Sequence, residues 1–181
     1  AEGHLMVDIG GGTTEIAVIS LGGIVIEHSI RIAGDELDQA IISFARLKYN
    51  LIIGEATAEE IKLNIGSAYP LEKELKSVMR GRDLETGLPK SLTISSTEIR
   101  EALAPVVRQI ITAITSAIEQ TPPELVSDIL KYGVTMAGGG SLLRGIDHLI
   151  SSEVDLLVWV MDVPLTGVVR GCAVVLDNPK L

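Results

Sequence analysis

With 181 residues, 46 % of them hydrophobic, the chain can build one domain, or two small lobes, around a real core, and the composition argues against disorder. Its 15 Lys and Arg against 24 Asp and Glu give a net charge of −9, which argues against nucleic acid as a partner, since its binders normally show a basic stripe. A nucleotide held by backbone N–H groups remains open, and with only 3 % aromatics the core must be aliphatic and alanine-rich.

The opening Ala1-Glu2-Gly3-His4 leads at once into an apolar run and reads as the cut edge of a longer protein. Strands are predicted over 5–9, 15–20 and 24–32, the last two joined at Gly22-Gly23, a hairpin signal. The first two are joined by Gly10-Gly11-Gly12-Thr13-Thr14, which predicts a second hairpin. A helix follows over 34–49, with Asp35 as N-cap and Leu37, Ile41, Phe44, Ala45 and Leu47 on its apolar side. Thr57 and Glu60 have capping-box spacing for a helix that runs through Ile61 and Ile65 and stops at Gly66.

Residues 66–92 are more charged and richer in turns, with short strands predicted over 78–80 and 91–94. A long helix capped by Ser96 or Thr97 then carries Ile99, Leu103, Val107, Ile110 and Ile114 at helical spacing, with Pro105 placed to kink or divide it. Pro122-Pro123 opens another helix with Thr121 as cap. A strand over 134–137 runs into Gly138-Gly139-Gly140-Ser141, which opens a helix from Leu142 to about Ser151. A buried strand over 156–160 and a last helix over 164–176 complete the chain, Gly167 and Gly171 permitting close packing on the sheet. Cys172, the single cysteine, excludes an intramolecular disulfide, suits a reducing cytoplasm, and is expected as a buried thiol beside Val174 and Val175. No apolar run reaches the roughly 20 residues of a membrane span, and no signal peptide is visible. The late alternation of strands and helices predicts an α/β core.

The two glycine runs carry the chemistry. The first lacks the spacing of a dinucleotide fingerprint and the Gly-Lys-Ser/Thr of a P-loop. It sets an acid, three glycines and two threonines on a hairpin, where Gly10, Gly11 and Gly12 can offer N–H groups to phosphate oxygens. Thr13 and Thr14 can donate hydroxyl hydrogen bonds or orient a water, and Asp8 can hold a hydrated Mg²⁺. The second run opens a helix and aims its amides above the sheet. Glu59 and Lys62 share a helix face; the pair suits a ribose and a base or phosphate, and equally a plain solvated pair. His4, His28 and His148 show no metal-ligand spacing.

These residues bear a resemblance. Asp8-Ile9-Gly10-Gly11-Gly12-Thr13-Thr14-Glu15, Ile30-Arg31-Ile32-Ala33-Gly34-Asp35-Glu36-Leu37-Asp38, Ile53-Gly54-Glu55-Ala56-Thr57-Ala58-Glu59-Glu60-Ile61-Lys62, Thr121-Pro122-Pro123-Glu124-Leu125 and Gly138-Gly139-Gly140-Ser141-Leu142-Leu143-Arg144-Gly145 resemble, in order and spacing, the C-terminal half of the MreB family of bacterial actins, which determine rod cell shape. Hsp70 chaperones and sugar kinases share the general layout, but their runs differ. The resemblance implies an actin-like ATPase fold, related to ribonuclease H. Residues 1–33 and 96–181 would form the core subdomain and 34–95 a small α+β insertion subdomain. It implies ATP and Mg as cofactors. Gly10, Gly11 and Gly12 would form the second phosphate loop, Thr13 would position the hydrolytic water, and Asp8 would support Mg²⁺ and catalysis. Glu59 and Lys62 would face the adenosine, and Gly138, Gly139, Gly140 and Ser141 would close around it.

The expected partners are further copies in head-to-tail filaments, made in part through the insertion subdomain, and the cell-wall elongation machinery. The inner membrane would be reached through the missing half, which places the protein in the cytoplasm at the inner face of the membrane. The family hydrolyses ATP slowly, but its first phosphate loop and catalytic Glu have no counterpart here, so turnover by this chain stays open. Two alternatives are a metabolic kinase of the same superfamily and a non-catalytic interaction module.

Overall fold

The structure, a computed structural model, describes residues 2–177. Ala1 and residues 178–181, the ends of the expected core subdomain, lie outside the described residues. Two sheets organise the chain. Strands β1 (Gly3–Ile9), β2 (Thr14–Ser20) and β3 (Gly23–Ile30) form an antiparallel meander, while β7 (Val134–Ala137) adds parallel to β1 and β8 (Val158–Val160) parallel to β7, in the order β3-β2-β1-β7-β8. A second sheet orders β4 (Leu51–Ile52), β5 (Lys76–Asp83) and β6 (Pro89–Ser95) as β4-β5-β6. Leu5, Val7 and Ile9 on β1 and Ile16 and Val18 on β2 are buried with period two, which sets the core face of the large sheet. The β2–β3 turn is centred on Leu21 and Gly22, one position before the expected Gly22-Gly23. Their φ values of 52° and 76° fit the type I′ turn that matches strand twist.

The helices refine the expected boundaries. Helix α1 (Gly34–Tyr49) buries Leu37, Ile41 and Ala45 but leaves Leu47 85 % exposed, since two residues beyond Ala45 is nearly the opposite side of a helix. Its N-cap is Ala33, whose N–H donates to Glu36 Oε2 at 2.9 Å; Asp35 lies inside the first turn. Helix α2 (Glu55–Ile65) has Gly54 as its N-cap, three residues before the expected Thr57, which sits in the first turn with its N–H on Gly54 O. Helix α3 (Ser96–Glu119) is capped by Ser95 in a capping box with Glu98, and Pro105 does not divide it. Among the described residues α3 is long and apolar enough to cross a membrane, contrary to the sequence expectation. Its apolar row, from Ile99 through Leu103, Val107 and Ile110 to Ile114, is buried against both sheets and α1.

Helix α4 (Pro123–Tyr132) takes Pro122 as N-cap; Thr121 Oγ1 donates back to Ala117 O at 2.7 Å, closing α3 rather than capping α4. The second glycine run enters a 3₁₀ turn, Gly139–Leu142, so helix α5 (Ile146–Val154) begins four residues later than expected. Strand β8 is an edge, with Trp159 55 % exposed, and not the buried strand its composition suggested. Helix α6 (Gly167–Asp177) has no buried residue among those described, and Cys172 is exposed, which corrects the buried-thiol expectation. A Cβ at Gly167 would sit 3.1 Å from Met161 Sδ, whereas Gly171 faces open space, so close packing is needed at the first glycine alone.

Candidate functional site

The parallel pairing of β1 with β7 sets Asp8 beside Ala137, so both glycine runs leave the sheet at the same end. The Ile9–Thr14 pair closes the first hairpin around the loop 10–13, with Gly10 N–H donating to Thr13 O at 2.9 Å. The carbonyls of Gly10 and Gly11 accept from Gly34 N (3.2 Å) and Asp35 N (2.8 Å), which pins the start of α1 against the loop. A Cβ on Gly34 would stand 3.3 Å from Gly10 O, so a side chain there would press on the loop backbone. The amides of Gly11, Gly12 and Thr13 have no protein partner among the described residues, and such a turn forms a concave anion site. In the second run, Gly138 (φ 80°) could not carry a Cβ, which would collide with Asp8 Oδ1 and the Ile9 carbonyl.

Between these turns and α2 lies a cleft of about 590 Å³. Gly10 and Gly11 line one side, Gly139 and Gly140 another, and Glu59 and Lys62 the wall contributed by α2. Six of the predicted residues therefore share one concavity. Gly12 and Thr13 are exposed on the loop beside it. The hydroxyls of Thr14 and Ser141 are committed within the fold. Thr14 is fully buried and its hydroxyl donates to Ile32 O at 2.7 Å; Ser141 is 3 % exposed and donates to Gly138 O at 2.7 Å. Each hydroxyl has one proton, and each spends it on the backbone. Gly138 packs against Asp8 and Ile9 rather than lining the cleft.

Glu59 and Lys62 do not pair with each other. Lys62 Nζ donates to Asp38 Oδ2 at 2.8 Å and to Gly34 O at 3.1 Å, its side chain 15 % exposed. The other Asp38 oxygen is buried with no partner among the described residues. Burial pushes the Asp38 carboxyl above its ordinary range; the hydrogen bond and charge of Lys62 pull it back, and Glu59 and Asp35 add to the rise. Sequence reasoning missed Asp38 as a cleft residue, although it lies one helical turn from Gly34 on the same face of α1. It also missed Arg144, whose guanidinium donates to Leu63 O at 2.9 Å and Gly66 O at 3.3 Å while lining the cleft. No spacing rule links residue 144 to residues 63 and 66.

Asp8 stands behind the loop, its carboxyl pushed up first by burial and then by the nearby charge of Glu15. No cluster of three metal-ligating side chains exists among the described residues. One carboxylate suits Mg²⁺ only when phosphate oxygens and waters complete the octahedron. The arrangement can bind an anion on loop amides, place a cation on the opposite wall, and offer apolar surface from Leu63, Leu142 and Leu143 to a flat group between them.

The family model described as MreB/Mbl protein matches residues 1–181. The cell shape-determining protein MreB of Escherichia coli (strain K12) is 51 % identical over 171 residues, covering 94 % of this chain and 49 % of the relative. The crystal structure of MreB5 of Spiroplasma citri bound to AMPPNP superposes with a TM-score of 0.96 at 40 % identity, over 99 % of this chain and 54 % of that one. The MamK double helical filament shares the fold, with a TM-score of 0.80 at 21 % identity over 97 % and 54 % of the two chains. The chain spans about half the length of the relatives it matches.

Proposed function

The chain belongs to the MreB/Mbl family and has the actin-like fold, and from that premise we propose that it is the ATP-binding half of a filament-forming cell-shape protein. The observation that carries this reading is the cleft itself: the free loop amide of Gly11 on one wall, with that of Gly12 beside it, and the Lys62 ammonium on another. Phosphates would sit on the loop of residues 10–13, and Glu59 and Lys62 would face the nucleoside. The start of the second run, at Gly139 and Gly140, would close the site. Thr13, exposed beside the cleft, would orient the attacking water. Asp8 would help hold Mg²⁺, which would neutralise phosphate charge when bound. In the same reading residues 34–95, with the three-stranded sheet, are the insertion subdomain, and 1–33 with 96–181 are the core. Copies would join head to tail at the cytoplasmic face of the inner membrane and act with the cell-wall elongation machinery. Family membership sets the metabolic-kinase alternative aside.

Titration of the chain with ATP and Mg²⁺, followed by NMR, tests the site. Binding is expected to be weak, with shifts at Gly11, Gly12 and Gly139, and Lys62→Ala should weaken it about tenfold, equivalent to about 1.4 kcal/mol. No saturable shift at millimolar ATP, or equal affinity in the variant, would overturn the assignment.

A further inference from the structure

Lys62 reaches from α2 to the start of α1. Its ammonium has three N–H donors, and two are committed: one to Gly34 O at 3.1 Å and one to Asp38 Oδ2 at 2.8 Å. The third has no acceptor among the described residues, and Lys62 lines the cleft. Gly34 O and Asp35 N belong to one peptide group, and Asp35 N donates to Gly11 O at 2.8 Å. A single peptide therefore links the ammonium to the loop of residues 10–13. This is an awkward place for a cation, because the first turn of a helix carries positive partial charge. Asp38, one turn after Gly34, supplies the countercharge, and both side chains are largely shielded, at 15 % and 13 % exposure. Glu59, three residues before Lys62 on α2, is exposed and does not pair with it.

We propose that Asp38 is a positioning residue for nucleotide binding: it holds Lys62 on the Gly34–Asp35 peptide and so fixes the third N–H of the ammonium relative to the loop of residues 10–13. The proposal rests on the nucleotide reading above and adds a residue that acts through another. The second oxygen of Asp38 is buried, so the carboxylate offers a ligand no contact there. As a bare charge Asp38 works against an anionic ligand, since it lines the cleft with Asp35 and Glu59, and carboxylates repel phosphate. As a positioning residue it works in favour of that ligand. The two roles give opposite signs when the carboxylate is removed. Without it the flexible Lys62 stem is released toward Glu59 or solvent, and its N–H no longer has a set direction.

The test is titration with ATP and Mg²⁺, followed by NMR, of the wild type, Asp38→Asn, Lys62→Ala and the double variant. Asparagine keeps the shape of Asp38 and loses the charge that holds the ammonium. Asp38→Asn is expected to weaken binding about fivefold, against about tenfold for Lys62→Ala, and the double variant to bind as Lys62→Ala does. Thermal melts establish that the variants are folded. Unchanged or tighter binding by Asp38→Asn overturns the proposal and leaves the nucleotide reading standing. A further loss when Asp38→Asn is added to Lys62→Ala does the same, because Asp38 would then act without Lys62. A wild type that binds no ATP overturns both. One measurement needs no variant: with two fixed acceptors, the Lys62 ammonium protons should exchange with water more slowly than those of the exposed Lys73. Equal exchange at the two lysines overturns the positioning role.

Discussion

Between the end of α1 and the start of α3 the Glu98 carboxylate accepts from Lys48 Nζ at 3.0 Å, from the Tyr49 hydroxyl, and from the N–H and Oγ of Ser95 at 3.0 and 2.8 Å. The Tyr49 hydrogen bond leads in holding its carboxyl down at about 2, against an ordinary value of 4.5. A carboxyl held low in the fold contributes stability above its ordinary pKa and loses it as pH falls through the folded value. That contribution is therefore expected to be complete at pH 7 and to fade between about 4.5 and 2. Glu98→Gln should cost about 1 kcal/mol at pH 7, the scale of a lost capping contact, and flatten that part of the acid profile. Thermal melts at pH 7, 5 and 3 check both; a variant as acid-sensitive as the wild type would reassign the effect. The Ser95/Glu98 box was nearly legible, displaced by one residue from the expected cap at Ser96 or Thr97. The partners Lys48 and Tyr49 were not, because nothing in a linear reading joins the end of α1 to the start of α3. Lys62 teaches the same point in the cleft: helical spacing offered Glu59 as its partner, and the fold supplied Asp38 from another helix.

At the scale of elements, α3 shows how periodicity and punctuation compete. Its apolar spacing predicted a helix, and Pro105 predicted a break. The helix runs on because Pro105 is exposed, so the Glu101 carbonyl, which loses its i+4 donor, can be reached by water. Pro105→Ala restores that donor and should raise stability by about 1–3 kcal/mol, seen as a higher urea midpoint with an unchanged m-value. A lower midpoint would mean that a local bend at Pro105 fits α3 to the sheets. The end of the chain shows the converse. The composition of 156–160 predicts a buried strand and the glycines of 164–176 permit a helix packed close on the sheet, yet β8 is an edge and α6 leaves Val168, Val169 and Leu176 exposed. Composition reports what a segment is able to bury; neighbours decide what it does bury.

At the scale of the molecule, the cleft would, on the proposed reading, supply one side of a phosphoryl-transfer site. Catalysis of such a transfer needs charge-stabilising groups aimed at the γ-phosphate from both sides, and on that reading the residues here would provide loop amides, Asp8 and Thr13 from one. The purified chain is therefore expected to bind ATP without turning it over; phosphate release above background, abolished by Thr13→Ala, would sink that expectation. The sequence by itself determined the strand–glycine–strand order, the periods of the buried faces, the helix-forming stretches and the family, because these are local patterns of side-chain size, polarity and backbone freedom. Tertiary structure alone decided which hydroxyls remain available, spending those of Thr14 and Ser141 on backbone carbonyls. It also paired Lys62 with Asp38, set Arg144 across the wall, and brought two glycine runs more than a hundred residues apart to one end of one sheet. Those outcomes depend on which distant atoms lie within hydrogen-bonding reach, and β1–β7 pairing, not sequence spacing, sets that distance.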